Sequence, residues 1–282
     1  MLRTTTAAVG SLRPADLPEV LDLLARDPVS DVFVASRVQS SGLAPNQLGG
    51  ELWGYREAGQ LVSLCYFGAN LVPVVASAEA ARGFAGLAAS KPRRCSSILG
   101  PADAVLTMWD LLRSHWDSPR EVRPHQPLLA IPDRPRIPVD PLVRRVWPHE
   151  IDTVLPACIA MFTEEVGVSP VGRDGGAHYR ARVAELVSSG RAFARFEDGE
   201  VVFKAEIGAA TPSACQVQGV WVRPDRRGEG LCAPGMAAVV EHALARIAPV
   251  VTLYVNDYNL PARSAYRRVG FRQIGEFATV LF

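Results

Sequence analysis

The stretch Val220–Ala233, VWVRPDRRGEGLCA, joins an apolar alternating run to an Ala-rich amphipathic segment through a basic turn punctuated by Gly228 and Gly230. Its residue types point to anion binding at a strand–loop–helix junction. Glycine has no Cβ, so the backbone can turn sharply there and approach a ligand closely. Pro234 falls in the first helical turn, where a missing N–H costs nothing. The N–H groups of Gly230, Leu231 and Cys232, at the positive end of the helix dipole, would face an anion such as a phosphate. Arg223, Arg226 and Arg227 add positive charge around that mouth. Taken alone, the pattern reads equally well as a solvated turn between strand and helix.

The elements that must position this loop follow from periodicity and punctuation. Arg13–Arg26 carries Leu17, Val20, Leu21 and Leu24 at helical spacing, and Pro28 follows its end. Leu52–Arg56 and Leu61–Phe67 form a hairpin about Glu57-Ala58-Gly59-Gln60. Ala78–Ala89 and Ala104–Trp116 read as helices and Ser96–Leu99 as a short strand, with Trp109 and Trp116 assigned to packing. Prolines at 119, 124, 127, 132, 135, 138 and 141 exclude helix and favour extended chain, with Leu128–Ile131 as one edge strand completing a first domain.

The second half begins as the first did. Arg13–Leu24 (RPADLPEVLDLL) is matched by Trp147–Cys158 (WPHEIDTVLPAC), and Arg56–Ala69 (REAGQLVSLCYFGA) by Phe196–Ala209 (FEDGEVVFKAEIGA). Two matched blocks in one order imply an internal duplication. Later, Ile151–Phe162 is helical, Met161–Gly167 an acidic turn and Ala177–Val187 a helix. Ala192–Phe196 and Val201–Gly208 form a hairpin and Ala214–Val222 the strand entering the loop. Ala237–Ile247 is the helix beyond it, Val250–Val255 a buried strand, Leu260–Val269 a helix ended by Gly270, and Phe277–Phe282 a final strand. Antiparallel strands interspersed with helices indicate an α/β fold built on a mixed sheet.

Composition sets the outer limits. The 282 residues suffice for two cores, and 48% apolar with 21% charged residues is ordinary globular composition. A net charge of +1 gives no global case for nucleic acid or an anionic membrane. The cysteines (65, 95, 158, 215 and 232) are odd in number and scattered, which favours free thiols in a reducing compartment. The histidine spacing suits no metal. The first residues lack the apolar core of a secretion signal, and no apolar run is long enough to span a bilayer. A cytoplasmic protein is expected.

Arg227-Gly228-Glu229-Gly230-Leu231-Cys232 resembles the coenzyme A pyrophosphate loop of the GNAT superfamily of acyl-CoA N-acyltransferases, departing at Cys232, where a smaller residue is usual. Asn259, Ala262, Tyr266, Gly270 and Phe271 resemble the family's second signature. The chain is also similar to actinobacterial tandem GNAT proteins whose N-terminal domain has no assigned function. The resemblance implies two tandem domains, 1–138 degenerate and without the pyrophosphate loop, and 139–282 an acetyltransferase using acetyl-CoA and no metal.

Carried over residue by residue, the resemblance implies that Val220, Trp221 and Val222 offer backbone groups to the pantetheine arm, beside a bulge at Gly219. Residues 227–232 and Asn259 would bind the coenzyme, and Tyr266 would protonate or hydrogen-bond the leaving thiolate. Glu206, alternating with Lys204 along one strand, is either the general base or half of an exposed cross-strand pair. Gln216 and Gln218 would orient water or substrate, and Glu164 and Glu165 would line the acceptor side with the loop Phe162–His178. The Phe282 carboxylate is a further candidate base. The expected activity is acetyl transfer to a primary amine by direct attack on the thioester. The alternative is a non-catalytic coenzyme-A-binding or partner-binding module. Aminoacyl transfer from charged tRNA is disfavoured by the near-neutral charge and the intact loop.

Overall fold

A computed structural model describes residues 7–172 and 175–282. Along the chain lie β1 (Ala7–Ser11), α1 (Leu17–Leu24), α2 (Val32–Ser41), α3 (Pro45–Leu48), β2 (Glu51–Glu57), β3 (Gln60–Phe67), β4 (Asn70–Val74), α4 (Ala78–Ala89), β5 (Ser97–Pro101), α5 (Ala102–Leu112) and β6 (Glu121–Ile131). Then follow β7 (Arg144–Arg145), α6 (Ile151–Val166), α7 (Ala177–Ser188), β8 (Ala192–Glu197), β9 (Glu200–Ala210), β10 (Cys215–Val222), α8 (Cys232–Arg246), β11 (Val251–Tyr254), α9 (Leu260–Val269) and β12 (Arg272–Leu281). Apart from the one-turn α3, the second series repeats the first element for element.

The repetition extends to local chemistry. Pro14 and Pro148 each start a single 3-10 turn, and Asp16 and Glu150 turn back to accept the N–H groups of Arg13 and Trp147, both at 2.8 Å. The hairpin turns place Ala58 and Gly59 at φ +50° and +85°, and Asp198 and Gly199 at +50° and +79°. Two consecutive positive φ values match the twist of the flanking strands, which is why glycine stands second in each turn. Both hairpins also shift register at the same place, at Tyr55/Arg56 and at Arg195/Phe196.

The chain forms two compact units. The first takes the residues up to Leu128 together with Tyr254–Asp257 and Gln273–Phe282; the second takes Leu129–Leu253 and Tyr258–Arg272. In the first unit the strand order is β1-β2-β3-β4-β5-β12-β6. There β12 runs antiparallel to β5 from Phe277↔Pro101 to Leu281↔Ser97. Trp53, Phe84, Met108 and Leu112 fill one face of this sheet with Ala278 and Val280 of β12, and Leu23, Val34, Leu64 and Tyr66 fill a second core. The second unit is ordered from the end of β6 through β11, β10, β9 and β8 to β7. Val154, Cys158, Leu186, Val201 and Trp221 form a core under α6 and α7. Gly235 of α8 lies so close to the Phe203 ring that a Cβ would come within 2.8 Å of it.

These findings correct the expected single cut at residue 138. A strand's alternation records that it is buried but not which neighbour buries it, so the place of β12 beside β5 is invisible locally. Leu128–Ile131 is likewise not a short edge strand. It ends the longer β6, whose Pro127 and His125 carbonyls accept from Val255 and Asp257, each at 3.2 Å. A proline gives up its N–H but keeps its carbonyl, which is how Pro124 and Pro127 fit inside this strand. The helix expected to reach Trp116 stops at Leu112, and Trp109 and Trp116 pack edge-on against the Phe282 ring. Among the described residues, no helix is long and apolar enough to cross a membrane.

Buried polar groups tie the first unit's sheet together. Gln126 Nε2 donates to Asn256 Oδ1 at 2.7 Å, and the Thr279 hydroxyl donates to Gln126 Oε1 at 2.6 Å. Gln126→Leu removes both bonds and is expected to cost about 1–3 kcal/mol, read as a lower urea midpoint with unchanged slope.

Candidate functional site

Strand β10 is irregular where the chemistry was expected. Gln218 pairs with Glu206 and Trp221 with Lys204, so Gly219 and Val220 together stand opposite Ala205. This is the bulge expected at Gly219, whose φ is +60°. A Cβ there would lie 3.1 Å from Lys204 Nζ, 3.1 Å from Met161 Cε and 3.2 Å from Glu206 Oε2. On its other edge β10 pairs with β11 only at Cys215↔Val251 and Gln216↔Thr252. The strands then part, and Val220, Trp221 and Val222 lie beyond the paired segment.

The loop that follows has Gly228 at φ +84° and Gly230 at +82°, with open space where a Cβ would be built. Helix α8 starts at Cys232, earlier than the periodicity suggested, and no side chain caps it. The N–H groups of Gly230, Leu231 and Cys232 find no acceptor among the described residues. Amides without an acceptor at a helix N-terminus are available to hold an anion.

The expected surplus of positive charge is corrected. Arg223 pairs with Glu200 at 2.6 Å and Asp225 at 2.7 Å, Arg226 with Glu197 and with Glu229 at 2.8 Å, and Arg227 with Glu164 at 2.7 Å. Three cations thus meet five acids, and attraction for an anion falls to the amides and the helix dipole. Glu164 and Glu165 lie on the last turn of α6 rather than in a turn after it. A carboxylate is unfavourable at a helix C-terminus, and the Arg227 guanidinium beside Glu164 holds its carboxyl below the usual range. Glu164 therefore braces the loop, while Arg227 Nε also donates to the Val222 carbonyl at 3.1 Å.

Beneath the bulge lies a charged cluster that the sequence reading only half saw. Lys204 is 1% exposed and Glu206 5% exposed, and their side chains meet at 2.6 Å. Lys204 Nζ also donates to the Gly219 carbonyl at 3.1 Å, and the Cys158 thiol to Glu206 Oε1 at 3.5 Å. Burial pulls the Lys204 pKa down, but Glu206 and Cys158 more than restore it, and it lies above the ordinary lysine value. Burial pushes the Cys158 thiol up to about 12. The exposed-pair reading of Glu206 is thereby corrected: its partner is two residues along the same strand, and both are buried. A lysine and a glutamate two apart in an otherwise apolar strand were the available signal, because buried charges must be paired. Gln218, opposite Glu206, is exposed and lies over Gly208, whereas Gln216 is buried.

Tyr266 on α9 is buried, edge-on to Phe271 at 5.9 Å. Burial, then the charges of Cys232 and Glu165, raise its hydroxyl above the ordinary phenol value, so it stays protonated at neutral pH. Asn259 caps α9 by accepting from the Ala262 N–H at 3.2 Å, which leaves its Nδ2 to donate. Phe282 sits in the first unit, its ring between Trp109 and Trp116 and its N–H on the Ser96 carbonyl at 2.9 Å. Residues 173 and 174 of the expected acceptor loop lie outside the described residues. Among the described residues, no group of three His, Cys, Asp or Glu is placed to hold a metal.

Residues 160–271 match the model of the Acetyltransferase (GNAT) family, and residues 50–154 match a domain of unknown function, DUF4081. No curated protein matches the chain. Among solved structures, a Drosophila protein is 12% identical with TM-score 0.67, covering 98% of this chain and 99% of its own. A GCN5-related N-acetyltransferase from Sphaerobacter thermophilus is 17% identical with TM-score 0.63, covering 97% and 94%. A tandem GNAT protein from the clavulanic acid biosynthesis pathway is 14% identical with TM-score 0.55, covering 98% of each chain. At such identities the likeness is one of fold.

Proposed function

We propose, from a chain whose residues 160–271 belong to the GNAT acetyltransferase family, that the second unit is an acetyl-CoA-dependent N-acetyltransferase transferring acetyl to a primary amine by direct attack on the thioester. The observation that supports this best is one continuous feature. Strand β10 bulges at Gly219, parts from β11, and runs straight into a loop whose amides at Gly230, Leu231 and Cys232 have no acceptor among the described residues. The backbone of Val220, Trp221 and Val222 would hold the pantetheine arm. The amides of Gly228, Glu229, Gly230, Leu231 and Cys232 would hold the pyrophosphate, with Arg227 and Asn259 Nδ2 beside them.

An amine arrives as its ammonium and must lose a proton before attack. The Glu206 carboxylate is already engaged by Lys204 and by the Cys158 thiol, so Glu206 is assigned, with Gln218 opposite it, to orient the water that takes that proton. Gln216 supports the strand from within, and the exposed Glu165 draws the acceptor's positive charge. Attack of the amine nitrogen on the thioester carbon breaks the C–S bond, and Tyr266 meets the departing thiolate. A thiol titrates near 8.5 and this phenol well above 10, so Tyr266 stabilises the thiolate by a hydrogen bond rather than by full proton transfer. Five unpaired cysteines suit a reducing, cytoplasmic setting.

Calorimetry with acetyl-CoA on the intact protein tests the reading, followed by a broad amine screen monitored for thiol release. Tyr266→Phe is expected to lower kcat about 100-fold, within the usual range for a positioned acid, with acetyl-CoA affinity unchanged. Because the Tyr266 hydroxyl titrates above the ordinary phenol value, no loss of rate should come from it up to about pH 10. A non-catalytic coenzyme-A-binding or partner-binding module is the second reading, favoured by the locked state of Glu206. Acetyl-CoA binding with no thiol release for any amine would select it.

A further inference from the structure

Lys204 is buried inside an apolar strand, where its ammonium pairs with Glu206 Oε1 at 2.6 Å and donates to the Gly219 carbonyl at 3.1 Å. What it controls is backbone. The Gly219 carbonyl turns to a side chain where a strand carbonyl would ordinarily serve a neighbouring strand, and φ +60° at Gly219 permits that turn. In a planar trans peptide the C=O and the following N–H point in opposite directions. Fixing the Gly219 carbonyl on Lys204 therefore fixes the Val220 N–H away from it, at the bulge that leads into the unpaired part of β10.

Stability alone does not account for the arrangement. A buried ion pair is commonly no better than two well-packed apolar side chains of similar size. We propose that Lys204 is a positioning residue for acetyl transfer: by holding the Gly219 carbonyl it aims the Val220 N–H at the thioester carbonyl oxygen. The inference rests on the reading of the second unit as an acetyl-CoA enzyme.

Calorimetry with acetyl-CoA and with S-ethyl-CoA, the thioether lacking only the carbonyl oxygen, isolates this contact without any acceptor. The wild type is expected to prefer acetyl-CoA by roughly three- to tenfold, the value of one neutral hydrogen bond. In the double variant Lys204→Met with Glu206→Leu, melting temperature and S-ethyl-CoA affinity should stay near wild type while the preference disappears. A purely structural pair would leave the preference intact once the fold is restored, and that result overturns the proposal. The carbonyl ¹³C resonance of labelled acetyl-CoA bound to the wild type gives a reading independent of any variant. A downfield shift on binding supports the contact, and an unmoved resonance overturns it. A wild type that binds neither ligand is a separate failure, because it removes the acetyl-CoA reading itself.

Discussion

Gly230→Asp is expected to raise the acetyl-CoA dissociation constant at least about 100-fold, which is close to 3 kcal/mol. Two independent costs contribute. The substitution forces a side chain onto a backbone at φ +82°, where residues other than glycine are strained by roughly 1–2 kcal/mol, so the free loop relaxes to another conformation and binding must restore the strained one. It also places a carboxylate at the mouth of α8, where it competes with the bound phosphates for the same amides and dipole, an effect of about 1 kcal/mol or more. Nothing lies within 4 Å of the position a Cβ would take, so the fold itself should be little disturbed. Calorimetry together with a thermal melt separates the two effects, and an unchanged dissociation constant would falsify the anion cradle.

Lys204→Met alone is expected to cost about 3–5 kcal/mol of folding free energy, because it leaves the Glu206 carboxylate buried without its partner. Removing both charges together should cost far less. The pH dependence carries a second signature. The Lys204 pKa in the folded protein lies above its ordinary 10.5, so its contribution is complete below that value and is lost as pH rises through the folded one. Urea unfolding from pH 7 to 11 should show a steeper alkaline loss in the wild type than in the double variant, the buried thiols contributing a common loss to both. A single variant that loses less than about 1 kcal/mol would mean that the pair contributes nothing, against the usual cost of an orphaned buried charge.

Much of the frame was legible because it is local. The turns at Ala58-Gly59 and Asp198-Gly199 announce themselves by a glycine between alternating runs, and the Asn259 cap by an asparagine just ahead of a helix that carries Pro261 in its first turn. The duplication was legible because two such local patterns recur in order. The state of the loop arginines was not, since Glu164 and Glu197 reach them from distant elements and nothing in RPDRRGEG records their approach. Lys204 and Glu206 sit between these cases. Their spacing gave away a shared face, but only Met161 beside Gly219 and the Cys158 thiol on Glu206 show that the face is closed to water.

The place of β12 beside β5 sets a timetable for synthesis. Strand β5 leaves the ribosome long before β12, about 170 residues ahead, which at ordinary translation speed is on the order of ten to thirty seconds. Throughout that interval the β5 edge facing β12 is an unfilled template, open to β6 or to another nascent chain. The half that is made first is the half that is finished last. A stop codon anywhere ahead of residue 273 would therefore damage the amino-terminal unit as surely as the carboxy-terminal one, and chaperone demand during translation should be read from the first repeat. The two repeats are tied together by that one strand, because the chain's last residues complete the sheet of its first unit.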